Sequence, residues 1–347
     1  MTEFVLGRST IDLALSHLAL YGLGAILEDA GHEVLMCWAE DQDSRPRLAA
    51  TDLDAEQLGA VIQSHASFHS SAGSWIASDI PLNGSARGLM SPRLSVFGDD
   101  QTWQEVQAAR RGVLDRLTDE QRRLDLRMVA ALGEPAYWSH NNKGEIQQDD
   151  GASRWEMQPR NRGSEIVGTR MRSLAASVAA RQPAAIAAGL TGVLPSLGSA
   201  PVLSHTVGLT AGGQADAAVV WCALWGISQL PLAPRVSTGR RSGTARTTGH
   251  IGRSRKEWFY TPLWHRPWQP ARLRTILASA HLRTAASSDL EVPKRDRPTA
   301  PAIAASRRWL ASRGVLGVVR FPIQRFGSDN APERRAMRGE VILAGGE

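Results

Sequence analysis

Residues 9–31 read STIDLALSHLALYGLGAILEDAG. From Ile11 to Leu27 apolar side chains recur on almost every face of a helix, leaving no polar stripe for water. Ser9 or Thr10 is placed to cap this helix, and Gly31 to close it. Asp12, Ser16, His17 and two glycines interrupt the run, which is also short of the roughly 20 apolar residues of a membrane span. It therefore reads as a helix enclosed by protein. Such a helix needs other elements around it, so the chain must hold a substantial core.

A second segment of the same kind is GQADAAVVWCALWGISQL at 213–230, with Trp221 and Trp225 one helical turn apart. Amphipathic helices are expected at 52–66, at 99–117, in a segment restarting at Thr118 with Gln121 in a capping-box position, and at 164–181, 183–194, 269–282 and 300–314. Short strands are expected at EVLMCW (33–38), PRLAAT (46–51), RLSVFG (93–98), EWFYTPLW (257–264), VLGVVRFPIQRFG (315–327) and GEVIL (339–343). The mixture predicts an α+β fold, helix-rich with small mixed or antiparallel sheets.

Charge divides the chain unevenly. Residues 1–229 hold 18 Lys+Arg and 26 Asp+Glu, a balance of −8, whereas residues 230–347 hold 22 and 8, a balance of +14. With a linker-like region near 200–215, this predicts an acidic helix-rich domain over 1–212 and a basic α+β domain over 213–347. A basic end points to an anionic partner. All but three of the cations are arginine, the exceptions being Lys143, Lys256 and Lys294. Codon usage is enough to explain that ratio, but guanidinium forks also suit phosphate. Cys37 and Cys222 sit in apolar company far apart, as buried thiols of a reducing cytoplasm do. No secretion signal or membrane segment is visible, and a cytoplasmic protein is expected.

Motifs for catalysis are lacking. The nine histidines are scattered singly. His65 and His69 stand four apart without a carboxylate nearby in sequence, so no metal site is assigned. No P-loop or nucleophile elbow occurs, and no cofactor is implied. SHNNKGE at 139–145 reads as a polar turn.

Binding signals are stronger. Residues 237–264, STGRRSGTARTTGHIGRSRKEWFYTPLW, belong to a stretch with seven cations and no carboxylate between Arg235 and Lys256. Glycines let a backbone approach a ligand, and Ser, Thr and Arg donate to phosphate oxygens. The candidates for nucleic-acid contact are Arg240, Arg241, Arg246, Arg253, Arg255 and Lys256. The aromatics that follow are expected mainly as a buried strand anchoring the loop. A second candidate is the turn Arg160-Asn161-Arg162, beside Trp155; its arginines suit phosphate, and Arg162 equally suits pairing with Glu165.

Several segments, in this order, resemble compact large-subunit-like proteins of type I CRISPR effector complexes, in the I-U (I-G) branch. They are HLALYGLGAIL, EVLMCW, SRWEMQPRNRGSEIVGTRM, ADAAVVWCALWGISQLPLAP, and a Gly/Arg loop ending in WFYTPLW. The resemblance implies a non-catalytic subunit of an RNA-guided surveillance complex. Its partners would be guide RNA, target DNA beside the protospacer, other effector subunits and a helicase-nuclease. The basic third would lie on nucleic acid, and the acidic front on protein neighbours. The chain is shorter than many large subunits. Two alternatives stay open: a metal-independent CRISPR RNA-processing endoribonuclease with His250 as general base, and a module that binds an acidic partner protein.

Overall fold

Two helices that are apolar on every side can be buried only against each other and inside further layers, and this pairing organises the molecule. The computed structural model describes residues 1–7, 9–40, 44–82, 84–92, 94, 100–133, 139–140, 146–147, 166–192, 215–233, 237–238, 241–242, 246–253, 256–290, 297–326 and 333–343. Helix α1 (Ala14–Asp29) is buried from Ala14 to Leu27. It starts at Leu13 with no side-chain cap. Ser9 and Thr10 are therefore not its caps, because residues 11–13 form a turn in which the Thr10 N–H donates to Ser16 Oγ.

The described helices that follow are α2 (Ala55–Ser70), α3 (Asp100–Asp119), α4 (Arg123–Leu132), α5 (Arg172–Ala179), α6 (Pro183–Thr191), α7 (Ala217–Gly226), α8 (Pro270–Leu277), α9 (Ala280–Ala286) and α10 (Ala300–Ala311). Every residue of α7 is buried. It packs on α1 with the two backbones in contact. A Cβ on Gly22 would lie 1.7 Å from the Cys222 carbonyl oxygen, and one on Gly226 would lie 2.1 Å from the Leu18 carbonyl oxygen. Only glycine at both positions permits this approach.

Strands of four or more residues are β1 (Thr2–Val5), β2 (Val34–Trp38), β3 (Pro46–Ala50), β4 (Asp79–Leu82), β5 (Ser85–Gly88), β6 (His250–Arg253), β7 (Lys256–Leu263), β8 (Gly317–Phe326), β9 (Glu333–Ala336) and β10 (Glu340–Leu343). An antiparallel sheet runs β1-β3-β2. A second runs β6-β7-β8-β9, with β10 also on β8, and β4 pairs with β5 as a two-stranded sheet. Among the described residues the fold is helix-rich α+β with small antiparallel sheets, as the sequence predicts.

The second sheet meets the outer face of α1. Tyr21 Oη bonds Thr261 Oγ1, His17 Nδ1 lies 3.2 Å from the same oxygen, and the His17 ring packs edge-on to Phe321. The first sheet is tied to the end of β7 by the Trp38 N–H on the Trp264 carbonyl (3.0 Å) and by Trp264 Nε1 on the Met36 carbonyl (2.8 Å). One hydrophobic cluster takes in Leu18 and Leu48 from the acidic front and Trp225, Phe259 and Phe321 from the basic back. Described residues on both sides of position 212, the expected domain boundary, thus share one core.

Other expectations need adjustment. Thr118 does not restart a helix: α3 continues to Asp119, and Gln121, at φ 55°, closes it. The Arg122 N–H then bonds the Leu117 carbonyl, a left-handed C-terminal closure. The helix expected over 269–282 is two, because the Ser279 hydroxyl accepts from the Leu282 N–H and starts α9. Residues 166–171 form a π-helical turn ahead of α5. The strand expected at 93–98 lies, apart from Leu94, outside the described residues. Cys222 is buried, while Cys37 is half-buried, and both are free thiols. No described helix is long and apolar enough to cross a membrane.

Replacing Gly22 by Val should force α1 from α7 and cost about 3 kcal/mol or more, read as a lower urea midpoint. A wild-type midpoint would mean the helices do not touch there.

Acid should also destabilise the fold. Burial lowers the pKa of His17 to about 4 and that of His65 to about 3, and holds His69 well below its ordinary value. The unfolded chain protonates these rings near pH ~6.5, whereas the folded chain does so only at lower pH. Stability is therefore complete above that value and falls as pH drops, by about 1.4 kcal/mol per histidine per pH unit. Urea midpoints at about pH 7 and about pH 5 will show it, and equal midpoints would mean solvated rings.

Candidate nucleic-acid interface

The described parts of the basic stretch pair as short antiparallel ribbons. Residues 232–233 pair with 246–247, and 237–238 with 241–242. The backbone of Arg246 thus faces Ala233, and that of Arg241 faces Thr238. Strand β6 turns back onto β7 with Arg253 across from Lys256. Gly252 sits at φ 96°, and a Cβ there would lie 2.0 Å from the Lys256 carbonyl oxygen, so this close turn requires glycine.

Of these strands only β6 pairs with β7, which is itself held in the core. Phe259, Tyr260 and Trp264 are buried, as is Trp268 beyond it. Phe259 stacks on Phe321, and Trp264 lies on Trp268 with centroids 4.7 Å apart and planes 6° apart. These aromatics are the anchor the sequence suggests, and they leave no open face for a base.

Of the sequence candidates, the structure brings together the backbones of Arg253 and Lys256, and Lys256 is exposed. Arg240, Arg255, Arg160, Asn161 and Arg162 lie outside the described residues. So do the side chains of Arg241, Arg246 and Arg253. His250 is on β6 rather than at a loop tip and is 7% exposed. Its Nε2 lies 3.5 Å from Oε2 of buried Glu257, a diagonal neighbour on the same sheet face.

One chemically capable constellation escaped sequence reading. On α2, His69 Nδ1 lies 3.0 Å from Ser74 Oγ, and Nε2 lies 3.3 Å from Asp125 Oδ1. Trp75 Nε1 donates to that carboxylate oxygen at 2.6 Å, and Arg122 Nε donates to the other at 2.7 Å. Nearby, Trp221 Nε1 donates to His65 Nδ1 at 3.1 Å. The order serine, histidine, carboxylate has the connectivity of a hydrolytic triad. Yet Ser74, His69 and Asp125 are each exposed by 1% or less, and Ser74 Oγ already accepts from the Ile76 N–H. No substrate carbonyl can reach that hydroxyl. The cluster instead links buried polar side chains in the core that joins α2, α4 and α7. Desolvation pushes the Asp125 carboxyl up, against the pull of Arg122, and keeps His69 neutral. Among the described residues no group of three or more His, Cys, Asp or Glu could hold a metal ion.

Sequence reading also passed over the arginines of α8 and α10. They contribute to the basic balance of the C-terminal third, which was the available signal, but lie outside the glycine-rich stretch that drew attention.

Asp125→Ala should strand Arg122 and the Trp75 N–H and cost about 3 to 5 kcal/mol. Asp125→Asn should cost less, since its amide oxygen still accepts one bond. Equal unfolding midpoints for both variants and wild type would refute this role. No protein-family model matches this chain, and no curated protein matches it either.

Proposed function

We propose that this chain is a non-catalytic nucleic-acid-binding subunit of an RNA-guided CRISPR surveillance complex, contacting guide RNA, or target DNA beside the protospacer. The observation that carries the nucleic-acid reading is the run of seven cations and no carboxylate from Arg235 to Lys256, which ends in the pairing of β6 with β7, a strand buried in the core. A ribbon anchored in the core presents its cations at lower entropic cost than a slack linker. Placement in a CRISPR complex, with effector subunits and a helicase-nuclease as partners in the cytoplasm, rests on the resemblance of the segments. The burial of His250 beside Glu257 weighs against its use as a general base on RNA.

Binding to RNA and to duplex DNA should weaken steeply with salt, because neutralised phosphates release counterions. Changing Arg240, Arg241, Arg246 and Arg253 together to Ala should lower affinity and reduce the salt slope by about 4. Unchanged affinity would remove the ribbons from the interface. Cleavage of repeat RNA by the pure protein, lost in His250→Ala, would overturn the non-catalytic reading.

A further inference from the structure

A second set of cations lies where α8, α9 and α10 meet. Residues 264–316 hold ten Lys+Arg and three Asp+Glu. Two of the arginines are already ordered on indole rings. The Arg272 guanidinium lies over Trp268 at 5.0 Å, and that of Arg313 over Trp309 at 4.0 Å. A 2.8 Å hydrogen bond from Arg272 Nη2 to the Arg313 carbonyl joins the two units. His281 stacks on Trp309, with centroids 4.4 Å and planes 25° apart, and bonds Ser306. Exposed Arg308 stands one helical turn before Ser312.

The bland account of Arg272 is that it caps the C-terminus of α10, where a cation is favoured. That bond uses one of its five N–H donors. Arg313 gives one side-chain bond, to Ser312 Oγ. Among the described residues, no carboxylate lies within 4 Å of Arg272, Arg308 or Arg313. Cations that lack counter-charges favour a polyanion, which neutralises several of them at once. Stacking on indole also removes rotamer freedom in advance.

We infer that Arg272, Arg308 and Arg313 form a binding site for consecutive phosphates of a nucleic-acid backbone. The inference rests on the nucleic-acid reading above. The site reads no bases: Trp268 is buried, and Trp309 already carries an imidazole and a guanidinium. Its affinity is therefore independent of sequence.

The test measures fluorescence anisotropy of full-length protein with labelled single-stranded RNA, a DNA duplex of the same sequence, and scrambled versions of both, across a salt series. The triple variant Arg272→Ala, Arg308→Ala, Arg313→Ala should bind at least about tenfold more weakly, with a salt slope lower by about 2 to 3. Scrambling should change nothing. Whichever of RNA and duplex loses more identifies the source of the phosphates. Should the triple variant fail to fold, Arg308→Glu, which disturbs no side-chain contact of the described residues, should still weaken binding severalfold. If the ribbon variant loses binding while the variants of this face keep wild-type affinity and slope, the inference is overturned and the proposed function stands. If wild type binds neither nucleic acid but binds poly-aspartate, the nucleic-acid reading itself is overturned. A dependence on sequence would overturn the backbone-only reading.

Discussion

The contact between α1 and α7 is the constraint on which the other layers depend. Gly22 and Gly226 let each helix lie against a carbonyl of the other, Cys222 and Leu18. At that distance the apolar side chains around the glycines interlock and exclude water, and neither helix retains a polar face. Each then needs cover on its remaining sides. The second sheet covers α1 through Tyr21, His17, Thr261 and Phe321. The Trp221 and Trp225 rings of α7 pack on His65 and His69 of α2.

Inside this core some polar groups are met by partners, whereas the indole N–H groups of Trp38, Trp225 and Trp268 are buried without a hydrogen bond among the described residues. Asp125 receives an indole N–H and a guanidinium N–H, and His17 bonds the Ile11 carbonyl at 2.8 Å. Pairing extends to the margins. Glu28, at the end of α1, accepts from Arg274 at 2.7 Å and from Arg127 at 3.3 Å; burial pushes its carboxyl up, but the two guanidinium groups together draw it below the usual range. Arg274 is thus used structurally. Arg272, two residues earlier, instead bonds the Arg313 carbonyl and lies over Trp268. Adjacent arginines of one helix differ in role because one reaches an acid from the front of the chain and the other does not.

Much of the architecture was legible locally. Asp54 and Gln57 form the full capping box of α2, with the Gln57 N–H on Asp54 Oδ1 at 2.8 Å and the Asp54 N–H on Gln57 Oε1 at 2.7 Å. The apolar strand EWFYTPLW and the two all-apolar helices were likewise visible as runs. Thr118 and Gln121 misled because a capping-box pattern also fits the end of a preceding helix when one residue takes a left-handed turn. Of the candidate interface, the charge imbalance was plain, and so was the anchoring role of the aromatics.

By itself, the sequence determined which segments must be buried and where positive charge accumulates, since both follow from side-chain type and spacing along one element. Only the tertiary structure decided which buried surfaces meet. Asp125 joins His69 across 56 positions, and Trp264 bonds Met36 across 228. The Arg272 and Arg313 stacks become one surface only when α10 returns against α8. Contacts between distant positions leave no local periodicity, because their energy exists only once the chain has closed.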